Sequence, residues 1–169
     1  MVTRINLAYT GPVNPPGAKP VLSLQQVWQG LERKVRYAQE FVPVIESCKV
    51  TREEGVEVDR YVIFKPQDGA EHGKEGESVH ELVRLYEPCK VDFARDDGSL
   101  VCNIVADGPA GTTEDLQMTY SFELKFPDIK EGDTKAIEEM RKKQQGMAKT
   151  AVESSIKTIR EMVTDGRIK

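Results

Sequence analysis

The spacing of apolar positions changes along the chain, and each change marks an element. Near the N-terminus Ile5, Leu7 and Tyr9 alternate with Arg4, Asn6 and Ala8. A period of two predicts a half-buried strand over about Thr3–Tyr9. The stretch TGPVNPPGAKP follows, and its four prolines oppose regular structure. It either covers an opening or simply connects two elements. From Leu24 the period lengthens: Leu24, Val27, Trp28, Leu31 and Val35 make one helical stripe, with Ser23 and Gln26 at capping-box spacing. On pattern alone this stripe is a core face. Gln39–Phe41 adds a short second helix, which Pro43 stops.

Strand-type segments then follow at about Ser47–Glu54, Val56–Lys65, Glu77–Tyr86, Lys90–Arg95, Leu100–Asp107 and Asp115–Phe126. Asp97-Gly98 is a hairpin signal between two of them. The Pro66–Gly76 connection carries Gly69, Gly73, Gly76 and mixed charge; it reads as a mobile loop, long for a hairpin. From Asp133 to about Thr164 the chain is helical in pattern, about 30 residues or roughly 45 Å. Asp133 or Thr134 caps it and Gly166 ends it. Ile137, Met140, Gln144, Met147, Ala151, Ser155 and Met162 fall near one face, opposite Glu139, Lys142, Lys143, Lys149 and Glu153. Such a helix needs a partner for its stripe, and a curved antiparallel sheet supplies one. The chain is expected to be an α+β protein with the order strand, helical pair, six strands, long helix, in a single domain over 1–169.

Composition narrows the function classes. The 169 residues are 38% hydrophobic and 31% charged, a globular composition with a formal net charge of −4. That charge argues against a nucleic-acid partner held by bulk electrostatics. No apolar run approaches the roughly 20 residues of a membrane-spanning helix, so no membrane insertion is expected. The N-terminus does not read as a secretory signal. Cys48, Cys89 and Cys102 form no CxxC pair and read as reduced thiols in a cytoplasmic protein. His72 and His80 are not at ligand spacing from a cysteine, so no metal is expected. Both histidines read as solvent-exposed. GxGxxG, GK[ST], GxSxG and HExxH are absent, and no cofactor is expected.

Candidate chemistry comes from interruptions of the alternation. Leu116, Met118, Tyr120, Phe122, Leu124 and Phe126 alternate cleanly. In the segment from Val56, the apolar set Val56, Val58, Val62 and Phe64 is broken by Arg60. In the segment from Glu77, Val79, Val83 and Leu85 are broken by Glu81. If these two segments form a hairpin with Val58 opposite Val83 and Val62 opposite Val79, Arg60 faces Glu81. Pairing Leu85 with Val91 brings Arg95, which shares the parity of Phe93, level with Glu81.

Charges on a greasy concave surface must pair, because an isolated buried charge costs several kcal/mol. One reading is a polar anchor in an apolar pocket, with Arg60 or Arg95 holding a ligand oxygen and Glu81 moving a proton. The other is an ion pair that only spans a cavity or sits in water at the sheet rim. Tyr120 either donates to a ligand or to Glu81, or is a core tyrosine. A bulge decides whether Asn103 or Cys102 points inward. Met140, Gln144 and Met147 roof the pocket, and Phe41 and Pro43 line an entrance. Cys102 has no histidine near it in sequence, so nucleophilic catalysis is unsupported.

The chain resembles the SRPBCC or START-like helix-grip superfamily, and within it the AtaL-like family, whose fungal members include one from an acetylaranotin gene cluster. The resemblance rests on Val27-Trp28-Gln29-Gly30-Leu31, Phe41-Val42-Pro43, Ile45-Glu46-Ser47-Cys48, Tyr86-Glu87-Pro88, Asp97-Gly98-Ser99, Asn103-Ile104, Thr119-Tyr120-Ser121-Phe122-Glu123, Pro127-Asp128 and Ile159-Arg160-Glu161. It implies a helix-grip fold, a curved sheet of about seven strands around the long C-terminal helix. It also implies a hydrophobic or amphiphilic small-molecule partner: a lipid, a polyketide or another secondary metabolite. The ligand set on this reading is Arg60, Glu81, Arg95, Phe93, Asn103, Met118, Tyr120, Phe122, Met140, Gln144 and Met147. The alternative is a cofactor-independent cyclase, dehydratase or isomerase, with Glu81 as acid or base, Arg60 as oxyanion partner and Tyr120 as donor. A third reading, an interaction module like START-like cochaperones, predicts an exposed apolar patch. The oligomeric state is not legible.

Overall fold

A computed structural model describes residues 2–65 and 78–169. Among these residues seven strands form one antiparallel sheet: β1 (Thr3–Pro12), β2 (Ile45–Glu54), β3 (Glu57–Phe64), β4 (Ser78–Tyr86), β5 (Lys90–Arg95), β6 (Leu100–Asp107) and β7 (Leu116–Phe126). Their spatial order is β1-β7-β6-β5-β4-β3-β2, so the chain's first two strands sit at opposite edges. Between them runs α1 (Leu24–Arg36), followed by a 3₁₀ turn at Ala38–Glu40. The long helix α2 (Thr134–Thr164) closes the chain. This is the helix-grip architecture expected from the sequence. No helix among the described residues is long and apolar enough to cross a membrane.

Local signals act as expected at the helix ends. The Ser23 hydroxyl accepts from the Gln26 amide at 3.2 Å, and the Gln26 side chain accepts from the Ser23 amide at 3.0 Å. Asp133 caps α2 through the Ala136 amide, and Gly166, at φ +83°, follows its last turn. The α1 stripe of Val27, Trp28, Leu31 and Val35 is buried against Val58, Val83, Val91 and Phe93 of the sheet and against Val152, Ile156 and Ile159 of α2.

Several boundaries differ from the pattern reading. β1 runs on through Gly11 to Pro12, because an edge strand tolerates a proline at its end. Val56 is 57% exposed, because the chain turns at Gly55-Val56 and the strand starts only at Glu57. The buried line of α2 runs Met140, Ala148, Val152, Ser155, Ile159 and Met162, while Met147 is 42% exposed. Period 3.6 makes neighbouring lines share residues, and only packing against β1, β7 and α1 selects between them. His80 is half-buried rather than exposed; its ring nitrogens lie 2.8 Å from Asp96 Oδ1 and 3.2 Å from Asp59 Oδ1. Of the Thr10–Pro20 stretch, the part after β1 is a connector held at both ends by Arg160, which donates to the Val13 and Pro20 carbonyls. The expected loop Pro66–Gly76, with His72, lies outside the described residues.

The two helices meet closely at Gly30. A Cβ added there would stand 2.4 Å from Ile159 Cγ1, a stiff β-branched side chain with no exposed surface. Gly30→Ala should therefore cost about 1–3 kcal/mol by overpacking, measured by urea denaturation. Gly146, inside α2, meets nothing within 4 Å. Gly146→Ala should instead stabilise the protein by about 0.5–1 kcal/mol in the same assay.

Candidate functional site

The charged cluster assembles as the register arithmetic requires. Arg60 pairs with Glu81 between β3 and β4, and Glu81 with Arg95 between β4 and β5. Arg60 and Glu81 are each only 3% exposed. Arg60 Nε and Nη2 donate to Glu81 Oε2 at 2.9 and 2.6 Å, and Arg95 Nε donates to Oε1 at 3.0 Å. Burial by itself pushes the Glu81 carboxyl up. The charges and hydrogen bonds of Arg60 and Arg95 outweigh it and hold the carboxyl below the usual carboxylate range.

Arg60 reaches in a second direction. Its Nη1 donates to the carbonyls of Lys34 and Val35 at 3.0 and 2.9 Å, near the C-terminal end of α1. Its guanidinium lies 4.6 Å from the centre of the Phe93 ring. Arg95 is less deeply buried, and among the described residues its two Nη nitrogens make no hydrogen bond.

A second cluster stands beside the first and was not foreseen. Lys34 is buried, at 6% exposure, on the inner face of α1. Its Nζ donates to the Tyr120 hydroxyl at 3.0 Å, to Asn103 Oδ1 at 3.3 Å and to Ser155 Oγ at 3.5 Å, and lies 4.1 Å from the Tyr120 ring centre. Desolvation and, after it, the Arg60 charge push its pKa down from 10.5 to about 7, against a smaller opposing pull from Glu81. Burial raises the Tyr120 hydroxyl far above its ordinary value and keeps it protonated. The sequence signal for Lys34 was its place beside the stripe, three residues after Leu31 and seven after Val27.

Both clusters face a cavity of about 440 Å³ between the sheet and α2. Arg60, Glu81, Arg95, Phe93, Asn103, Tyr120, Phe122, Met140, Gln144 and Met147 all line it, joined by Lys34. Met118 does not. The Leu116–Met118 end of β7 is buried in the main core, and only Tyr120–Leu124 reaches the cavity. Phe41 is likewise a core residue, while Pro43 is in the wall. Exposed Pro43, Lys143, Gly146, Met147 and Thr150 mark the mouth, between the segment before β2 and the middle of α2. Asn103 points inward, with 1% exposure, and Cys102 pairs outward across from Asp92 and Ser121. Burial and Asp92 push the Cys102 thiol up to about 11, which leaves it a poor nucleophile. Tyr120 bonds to Lys34 and not to Glu81, whose oxygens both arginines occupy.

The Lys34 shift carries a pH signature. The folded state holds fewer protons than the unfolded chain between pH 7 and 10.5. Stability should therefore rise by a few kcal/mol from pH 7 to about 9, above which the raised Cys102 thiol, still protonated in the folded state, opposes the rise. In Lys34→Met the rise should vanish, whatever the offset between the curves. Chemical denaturation at a series of pH values checks this, and parallel curves would show that Lys34 titrates as it does in the unfolded chain.

Comparisons with known proteins identify the fold and the family. The model of the family described as acetylaranotin biosynthesis cluster protein L matches residues 7–166. The protein of that name from Aspergillus terreus is 30% identical over 166 residues, covering 95% of this chain and 91% of its own. Among solved structures, the Zhui aromatase/cyclase from Streptomyces sp. R1128 superposes with a TM-score of 0.70 at 12% identity, covering 95% of this chain and 96% of that one. The di-domain aromatase/cyclase StfQ of the steffimycin pathway gives 0.68 at 9% identity, covering 95% of this chain and 52% of its own. At those identities the two structures establish the fold. The family match and the Aspergillus relative go further: this chain belongs to the AtaL family.

Proposed function

We propose that the protein binds a hydrophobic or amphiphilic small molecule, of the secondary-metabolite kind, in the cavity between sheet and α2. The observation that carries this is the division of the cavity. Phe64, Val101, Phe122, Leu124 and Met140 supply apolar wall, while Lys34, Arg95, Asn103 and Tyr120 supply polar groups on the buried inner side. Ligand sites of this kind are mostly apolar, with a few placed polar groups, and span about 300–1,000 Å³. Arg95 offers its Nη donors to an anionic or carbonyl oxygen. Glu81, ionised and held on both oxygens, keeps the two arginines in place. The name of the Aspergillus relative, a biosynthesis cluster protein, supports a metabolite ligand.

A second reading is a cofactor-independent cyclase, dehydratase or isomerase on the same fold. Its support is the concentration of ionisable groups at the inner wall. It casts Glu81 as acid or base, Arg60 as oxyanion partner and Tyr120 as donor. The clamped state of Glu81 favours holding over proton transfer, which ranks the binding reading first. Losing one member of a buried pair costs roughly 3–5 kcal/mol whatever its role. Stability alone therefore cannot separate the two; turnover measured beside ligand affinity does. On the enzyme reading, Glu81→Gln loses turnover and keeps binding. Wild-type turnover in that variant eliminates Glu81 as the proton carrier.

The direct test is to purify the protein from its native host, unfold it gently and identify co-purified compounds by mass spectrometry. A stoichiometric apolar compound is expected. Ala151, in the cavity wall on α2, gives the control. Ala151→Trp should weaken that compound's binding by about tenfold or more by filling the chamber. Unchanged affinity in a folded variant would put the ligand elsewhere and overturn the proposal.

A further inference from the structure

We propose that Lys34 is a carbonyl-capturing amine, condensing with an aldehyde or ketone group of the bound molecule to form an imine. The inference rests on the cavity being the ligand site and adds a covalent step to it. Three observations lead to it.

The first is the company Lys34 keeps. Its three hydrogen-bond partners, Tyr120, Asn103 and Ser155, are all neutral, and the nearby carboxylate of Glu81 is bonded to Arg60 and Arg95 instead. A lysine locked in an ion pair stays protonated and cannot attack carbon. This one has no such lock. The second is its position. Arg33 and Arg36 on the same helix reach Glu40 and Glu53 at partly exposed sites, whereas Lys34 points inward and is buried. Methionine or leucine would pack there without the cost of a buried amine. The third is access: Lys34, Asn103 and Tyr120 share the same cavity wall, so a ligand carbonyl held there lies beside both the amine and a protonated phenol. The depressed pKa of about 7 agrees, since it leaves much of the amine neutral at physiological pH.

The step balances without a further reactant. The neutral amine attacks the carbonyl carbon, a C–N bond forms, and a proton moves from nitrogen to oxygen to give a carbinolamine. Tyr120, which burial keeps protonated, is placed to donate to that oxygen. The C–O bond then breaks, the hydroxyl leaving as water with the remaining N–H proton, and C=N forms. Amine and carbonyl yield imine and water; nothing is oxidised or reduced.

The test uses the whole protein with 2-naphthaldehyde as the probe and sodium cyanoborohydride to trap an imine at about pH 7. Total reversible binding, imine included, is read separately by isothermal titration calorimetry without the reductant. The expected result is one adduct per chain. Peptide mapping should place it on Lys34, formed about tenfold or more faster than on any surface lysine. Lys34→Arg keeps the charge and should abolish the fast adduct. Lys34→Met should do the same in protein shown to be folded by circular dichroism. Binding by wild-type protein with adducts only on surface lysines overturns the covalent step and leaves the cavity reading standing. No calorimetric binding at all, in protein shown to be folded, removes both.

Discussion

The buried charge of Glu81 governs this structure. A carboxylate with almost no exposed surface is stable only if its charge is answered, and Arg60 and Arg95 answer it from the strands on either side. Arg60 then has donors left over. They go to the carbonyls of Lys34 and Val35, polar groups near the end of α1 that need partners once that end is buried. One guanidinium thereby fastens the first helix to the concave face of the sheet. The position of Lys34 inside the molecule follows from that fastening.

Electrostatics and cavity are consequences of one another. Three strands deliver two positive charges and one negative to a small volume, and α1 adds a fourth ionisable group beside them. Water excluded by Phe93, Phe122 and the α2 side chains strengthens every one of these interactions. The same exclusion burdens Lys34, which has neutral partners only. Its proton is weakly held for that reason. The site thus combines a carboxylate fixed in its charged form, arginine donors aimed at the cavity and an amine poised near neutrality. An apolar chamber with these groups on its inner wall suits a molecule that is greasy along its body and oxygenated at one end.

The long helix completes the chamber without filling it. Its buried residues from Ala148 to Met162 pack on α1 and the sheet, with Gly30 allowing close approach at Ile159. In its middle Gln144 and Met147 roof open space, and Met140 borders that space while packing on Ile5, Leu124 and Phe126. A single helix therefore serves as core toward its two ends and as cavity wall between them. That division also explains Met118: it belongs to the packed end of β7, while Tyr120 and Phe122, two and four residues on, face the ligand space.

The sequence by itself determined the elements, the hairpin register and the meeting of Arg60, Glu81 and Arg95. These depend on local periodicity: an apolar alternation broken at matching places in neighbouring strands tells which face they share and which residues stand opposite. Capping at Ser23 and Asp133 was equally local. The tertiary structure alone decided the rest. Lys34 could not be assigned inward from a stripe that already accounted for the α1 core, because a lysine beside such a stripe ordinarily extends to water. Its burial depends on Arg60 drawing the end of α1 onto the sheet, a contact spanning 26 positions of sequence. Which line of α2 is buried, whether Asn103 or Cys102 points inward, and where core ends and cavity begins depend in the same way on packing between distant segments. Periodicity fixes which face a residue shares; only the neighbour that covers that face decides whether it is core, cavity or surface.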